Sequence, residues 1–249
     1  MTVFGLTIAQ MLTIGAAAFF AQIAGGIAGY GTGMLLPLVL VPIIGAEAIV
    51  PVISLSALIT NPTRVIVFRE HLDYRKSLTI AAFAIPSTMI GAWGYTMLSG
   101  KGATVLIGTA LILMVPLRRV LARLKFNISG PGIGAASIAY GFLSGAMTGT
   151  GVILISMLMA MGLTGAQVIA TDALTSTIIG LAKTGVFAAA GALPPKLCVV
   201  ALLIGGMATP GTLIARWLIR RFSPRVHDRI LEVVIVFGGV VLIWRGLTG

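Results

Sequence analysis

Polar punctuation falls at residues 69–76 (Arg69, Glu70, His71, Asp73, Arg75, Lys76), 99–102, 118–131, 194–196 and 216–229. Between these clusters lie apolar stretches at 5–44, 46–68, 77–98, 103–117, 132–163, 166–192, 197–215 and 230–247. An apolar run of about 20 residues bounded by charge reads as a membrane-crossing helix, because at ~1.5 Å per residue it matches a hydrocarbon core of about 30 Å. Two stretches do not fit. As single helices, 5–44 would be about 60 Å long and 132–163 about 48 Å. Each must fold back, and each carries a glycine cluster near its middle: Gly25, Gly26, Gly29, Gly31 and Gly33 in the first, Gly141, Gly145, Gly149 and Gly151 in the second. Glycine lets the backbone turn sharply at low steric cost. The pattern therefore predicts an all-α polytopic membrane protein with two helical hairpins tipped by glycines.

The two long stretches head two halves of similar plan. Gly31-Thr32-Gly33 recurs as Gly149-Thr150-Gly151, and with the register moved by one residue Arg64 aligns with Lys183, Phe68 with Phe187, Leu55 with Leu174 and Gly26 with Gly145. The chain reads as tandem repeats, residues 1–125 and 126–249, each a hairpin followed by three crossings. A hairpin returns to its own side and three crossings are odd, so the repeats should have opposite orientations. Placing 69–76 and 118–125 in the cytoplasm then brings 216–229 there too. That arrangement leaves only Lys101, Lys196 and Arg245 outside, with Arg64 and Lys183 within helices, which satisfies the positive-inside bias. Eight simple crossings would put 216–229 on the opposite side from the other two clusters. Both termini are expected outside. Inverted repeats with interrupted helices are the plan of many secondary transporters.

Composition sharpens this reading. Charged residues make up 9 % of the chain and hydrophobic residues 58 %, whereas soluble domains are about a quarter charged, so a cytosolic globule is excluded. The net charge of +11 sits at the ends of apolar runs, the placement expected of cytoplasmic loops rather than of a nucleic-acid surface. A single cysteine, Cys198, excludes a disulfide framework or a cysteine metal cluster. His71 and His227 lie in charged connecting segments, so no buried histidine metal site and no cofactor is expected. No basic residue precedes Arg64, so the N-terminus reads as structure rather than as a secretory signal.

The stretch GGIAGYGTGMLLPLVLVP at 25–42 and its diverged copy GAMTGTGVILISMLMAMG at 145–162 resemble the TauE/SafE family of sulfite exporters, which are small-anion permeases. The second copy departs from the first in having Ser156 where the first has Pro37. The resemblance implies a multi-pass protein of the plasma membrane that moves sulfite, thiosulfate or an organosulfonate, coupled to the proton gradient.

The hairpin tips are the first candidate site. If the second arm of each begins just after its Gly-Thr-Gly, free backbone N–H groups point into the tip, and a helix N-terminus binds anions without a cationic side chain. Pro37 would fit a first turn, where its missing N–H is not needed. Thr32 and Thr150 would add hydroxyl donors, while Gly31, Gly33, Gly149 and Gly151 would allow close approach of a ligand. The competing explanation is that these glycines only pack helices, as scattered ones such as Gly108 and Gly238 are expected to do.

Arg64 and Lys183, at equivalent positions, would guard the two entrances of an anion path, or else snorkel to the interface. Asp172 shares a helix face with Ser176 and Lys183 but lies about 16 Å from Lys183 along the axis, too far for a salt bridge. It would carry the coupling proton, or cap a helix break. Ser56, Thr60 and Thr63 form a polar stripe that would bond either an anion or their own helix's carbonyls. Trp93, Trp217, Trp244 and Tyr74 read as interface anchors.

Together with the resemblance, which supplies the sulfur oxyanion, the direction of export and the proton coupling, these residues imply a secondary transporter working by alternating access, with protons and membrane lipid as its other partners. An uncoupled channel with the same site is the alternative, and no buried histidine or acidic pair supports an enzyme. The topology has a direct check. In a Cys198→Ser background, Phe222→Cys should react with a membrane-impermeant thiol reagent only after the cells are opened. Labelling of intact cells at that position would defeat the inverted arrangement.

Overall fold

Helix dominates the computed structural model, which describes residues 2–3, 5–28, 32–123, 128, 130–218 and 224–248. Among these residues ten α-helices follow one another: α1 Ile8–Ala28, α2 Thr32–Ile44, α3 Ile49–Val67, α4 Tyr74–Thr96, α5 Gly100–Arg123, α6 Pro131–Ala146, α7 Gly151–Ala160, α8 Ala166–Ala189, α9 Pro195–Leu218 and α10 Pro224–Thr248. A small antiparallel pair, β1 Thr2–Val3 and β2 Leu6–Thr7, precedes them, with Thr2 opposite Thr7 and Val3 opposite Leu6. The hydropathy pattern gave no sign of it. Three segments among the described residues, Ala46–Val67, Tyr74–Thr96 and Gly100–Leu121, are long and apolar enough to cross a membrane, and shorter apolar helices accompany them. This is the architecture of a polytopic membrane protein.

The stretch 132–163 is interrupted, as its length required. α6 stops at Ala146, Met147 is extended at φ −147° and ψ 174°, and Gly149 takes φ +83°, a conformation glycine adopts without a Cβ penalty. The reversal brings the ends of the hairpin together, for Ile128 N–H donates to the Ala160 carbonyl at 3.1 Å. Gly141 and Gly145, counted above with the tip, lie instead within α6. In the first hairpin α1 and α2 pack on each other. Its turn, with Gly29 and Gly31, lies outside the described residues.

Two helices outrun their apolar stretches. α5 continues through Arg118, Arg119 and Arg123, and α10 starts at Pro224 rather than near residue 230. Arginine is a good helix former whose long stem lets the charge reach water, so charge alone does not end these helices. α4 starts on a side-chain cap: Asp73 Oδ1 accepts from Lys76 N–H at 3.0 Å, and Lys76 Nζ lies 3.2 Å from Oδ2. Partial burial of Asp73 works to raise its pKa, but the hydrogen bonds and the Lys76 charge outweigh it and hold the carboxyl below its usual value. Tyr74, Trp93 and Trp244 stand exposed near helix ends.

Helix packing is organised by glycine and by direction. α4 and α6 run parallel in close contact: Thr88 Oγ1 donates to the Gly141 carbonyl at 2.9 Å, and Gly145 lies against Thr88 and Ala92. α1 and α9 are also parallel, with Gly15 against Met207 and Gly211 against Phe19 and Gln22. α3 and α8 are antiparallel, joined at Arg64–Asp172 and at Leu58–Gly180. α5 and α10 are antiparallel too, with Gly108 against Gly239 and Ile243 and Gly246 against Val105. Taken in order, α1–α5 and α6–α10 exchange without changing these pairings. The pair α4–α6 corresponds to α9–α1 and α4–α8 to α9–α3, while α3–α8 and α5–α10 correspond to themselves.

The tightest approach predicts its own test. A Cβ on Gly145 would stand 2.2 Å from the Thr88 carbonyl oxygen and 2.7 Å from Ala92 N, whereas one on Gly206 meets nothing within 4 Å. Gly145→Ala should therefore destabilise the detergent-solubilised protein by at least about 1–3 kcal/mol, as overpacking does. Gly206→Ala should leave the thermal midpoint unchanged or raise it. Equal midpoints for the two variants would contradict the α4–α6 geometry.

Candidate functional site

The second hairpin offers an uncapped helix start. Thr150 stands at φ −72° and ψ −5° before α7, and no side chain bonds the helix's first amides. The Thr150 carbonyl accepts from Ile153 N–H at 2.9 Å and from Leu154 N–H at 3.4 Å. Gly151 and Val152, the first two residues of α7, have no carbonyl one turn back within the helix to accept their N–H groups. They present the positive end of the helix dipole to the turn. Thr148 and Thr150 in that turn are buried.

The beginning of α2 meets this turn. A Cβ on Gly33 would lie 3.0 Å from Gly149 N and 3.3 Å from Gly149 Cα, and one on Gly149 would lie 2.9 Å from Met34 Cγ. Two helix starts thus converge, with tight backbone contact at Gly33 and a positive φ at Gly149 that favours glycine. Gly31 lies outside the described residues, as does the side chain of Thr32. Pro37 falls in the second turn of α2, not the first as expected, because α2 already begins at Thr32. It offers no N–H to the Gly33 carbonyl, so that acceptor lacks its helical partner beside Gly149. Ser156, at the equivalent place in α7, donates its hydroxyl to the Val152 carbonyl at 2.8 Å.

A buried lysine lies against this turn. Lys183 on α8 is buried and its Nζ donates to the Ser144 carbonyl, in the last turn of α6, where carbonyls lack helical donors. The cation also faces the negative end of the α6 dipole. It does not snorkel. Among the described residues no carboxylate pairs with it.

Arg64 has a different environment from its counterpart. Its Nη2 lies 3.2 Å from Asp172 Oδ2, the arginine side chain 26 % exposed and the aspartate 6 %. Asp172 caps no helix break, since it lies in the second turn of α8. Its other oxygen, Oδ1, is buried without a hydrogen-bond partner. Nearby, Asp73 N–H donates to Thr171 Oγ1 at 3.2 Å and Thr175 Oγ1 to Ser77 Oγ at 2.9 Å, which pins the start of α4 to α8. Asp172 therefore sits near the 69–76 turn, while Lys183 sits about 16 Å farther along α8 beside the hairpin tip. Tyr140 on α6, buried and facing Ser144 and Ser176 within the field of Asp172, fills the interval.

The hydroxyls of α3 turn to their own helix. Ser56 donates to the Ile53 carbonyl at 2.9 Å, Thr63 to Ile59 at 3.2 Å and Thr60 to Ala57 at 3.5 Å. Their protons are engaged there, leaving lone pairs outward. Two relations escaped sequence reasoning. The Arg64–Asp172 pair was legible only as a rule, that an acid buried in lipid requires a cation somewhere. Tyr140 gave no signal, because its importance comes from α6 lying against α8.

The turn thus brings together the first amides of α7, the buried Lys183 with no carboxylate among the described residues, and two buried threonines beside a glycine contact. A family model described as "Sulfite exporter TauE/SafE" matches the chain over residues 14–242. No curated protein and no solved structure matches it.

Replacing Arg64 alone with Met should cost about 3 kcal/mol, because it leaves a carboxylate buried without its partner. Adding Asp172→Leu should recover most of that loss, measured by denaturation of the solubilised protein. Additive losses would show that the two residues are not coupled.

Proposed function

The chain belongs to the TauE/SafE sulfite exporter family, a family of sulfur-anion transporters, and on that premise we propose that it is a proton-coupled secondary transporter of sulfite, thiosulfate or an organosulfonate. The observation that carries this reading is the buried Lys183, answered by no described carboxylate and placed against the hairpin turn where α7 begins uncapped. A sulfur oxyanion seated at Gly149, Thr150 and Gly151 would receive the first amides of α7 and neutralise the lysine. Gly31, Thr32 and Gly33 would approach it from the other hairpin, and Ser56 would lie on the path.

The two repeats, 1–125 and 126–249, would have inverted topology in the plasma membrane with both termini outside. Supporting this, the equivalent helices α3 and α8 pack antiparallel, as do α5 and α10. Inverted repeats let one half rock against the other around a fixed site. Asp172 supplies the coupling. Its bond to Arg64 ties α3 to α8, one helix from each half. A proton on the carboxyl cancels the charge that holds Arg64, so the two halves separate on that side and the anion is released.

Uphill accumulation of a radiolabelled organosulfonate or of sulfite in proteoliposomes, driven by a pH gradient, is the expected activity. Asp172→Asn should abolish accumulation and retain anion exchange, and Lys183→Gln should weaken anion binding about tenfold or more, the weight of a charge-assisted hydrogen bond. Downhill conductive flux in the unmodified protein would overturn the carrier in favour of a channel. A fully coupled Asp172→Asn would remove that residue from the mechanism.

A further inference from the structure

Phe187 lies one turn beyond Lys183 on α8, about 6 Å along the axis and on the same face of the helix. It stands in the last turn of α8 and is fully buried. Its ring meets that of Tyr95, in the last turn of α4, edge to face, with centroids 6.1 Å apart and planes at 79°. Tyr95 is 3 % exposed, and its hydroxyl donates to the Ala46 carbonyl at 2.5 Å. That carbonyl also accepts from Ile49 N–H, so it keeps a partner when the tyrosine leaves. Just beyond, Glu47 and Lys101 are exposed, and charges at helix ends mark the membrane surface. The aromatic pair therefore stands between the buried lysine and that surface. Both walls are jointed by glycine: Gly45, at φ +82°, leads into the turn that holds Ala46, and Gly191, at φ +70°, follows α8. The register that aligns Arg64 with Lys183 aligns Tyr95 with Ile214, which is 37 % exposed and has no hydroxyl. This latch has no twin at that position.

Resting on the transporter reading above, we propose that Tyr95 and Phe187 form the gate that closes the anion site on the side away from Asp172. An anion leaving Lys183 in that direction meets two packed rings, which offer it no donor while the tyrosine hydroxyl is turned to Ala46. Passage requires the rings to part, because a bare ion pressed into an apolar contact forfeits its hydration. Parting breaks one side-chain hydrogen bond and one ring contact and leaves the Ala46 carbonyl satisfied. α8 carries one member of each closure, Asp172 against Arg64 and Phe187 against Tyr95, about 22 Å apart along its axis. The two closures differ in chemistry. One is an ion pair that a proton undoes, and the other holds by ring contact and a neutral hydrogen bond.

The test is side-specific labelling of the full-length chain, in a Cys198→Ser background with Ser144→Cys as the reporter beside Lys183. A membrane-impermeant thiol reagent is applied to intact cells and to inverted vesicles, and a Lys101→Cys control identifies which preparation exposes that end. Tyr95→Phe keeps the ring and removes the latch, and should speed labelling from the Lys101 end about fivefold, the weight of one neutral hydrogen bond. Phe187→Ala should speed it about tenfold or more, and Phe187→Leu, which refills much of the space, should do so less. Labelling from the Arg69 end should fall in Tyr95→Phe if the protein is a carrier and hold steady if it is a channel, so the gate is judged apart from the mode of transport. The assay needs neither a sulfur anion nor a proton gradient, which separates it from those parts of the function as well. An unchanged rate from the Lys101 end in both Tyr95→Phe and Phe187→Ala would overturn the gate. So would an equal rise from both ends, the mark of a loosened bundle.

Discussion

A chain that reverses direction inside a membrane exposes amides and carbonyls where no water can satisfy them, and the protein must either bury those groups or use them. This constraint governs the second hairpin. Its turn is sheltered by α4, α8 and the start of α2, and the shelter depends on glycine: Gly145 against Thr88, Gly33 against Gly149. A larger residue at any of these points would hold the elements apart and admit lipid or water to the turn. Close packing of small residues thus shelters the uncapped start of α7, which under the proposed function serves as an anion receptor instead of a defect.

The same low dielectric decides the fate of three charged side chains. Asp172 and Arg64 answer each other across α3 and α8. Among the described residues Lys183 answers only a backbone carbonyl, which supplies a partial negative charge where the proposed passenger would bring a full one. A transporter needs both kinds of charge. One must be satisfied by the protein so that a proton can undo it, and one must be satisfied only when the passenger arrives. In the proposed cycle, release of the α3–α8 tie and occupancy of the tip would communicate along α8, which carries both Asp172 and Lys183.

Much of this organisation was legible in the chain. Stretches too long to span once had to turn, and glycine clusters marked where. Met147–Thr150 is the turn the Gly149-Thr150-Gly151 motif implied, and α7 begins at Gly151. Other features were illegible for physical reasons. Gly141 and Gly145 looked like turn residues because glycine serves both bending and close approach, and only the neighbour α4 distinguishes the two uses. Pro37 was placed one turn early because a helix start cannot be read to within a few residues from hydropathy. Arg64 looked like the twin of Lys183, but twins in sequence acquire different partners when only the second half has an aspartate at the position of Asp172, where the first has Ile53. The serine and threonine stripe of α3 was readable in either of two ways, and the local carbonyls took its hydroxyl protons.

The claim at the centre of this account is that the hairpin turn and Lys183 receive the passenger anion. Selenite has the shape and charge of sulfite and scatters anomalously at the selenium edge, so crystals soaked in it would locate the site without reference to activity. The account predicts one strong anomalous peak within hydrogen-bonding distance of Lys183 Nζ and the amides of Gly151 and Val152, with Gly33 and Gly149 beside it. Peaks confined to the arginine clusters at the helix ends, with the hairpin turn empty at saturating selenite, would contradict it.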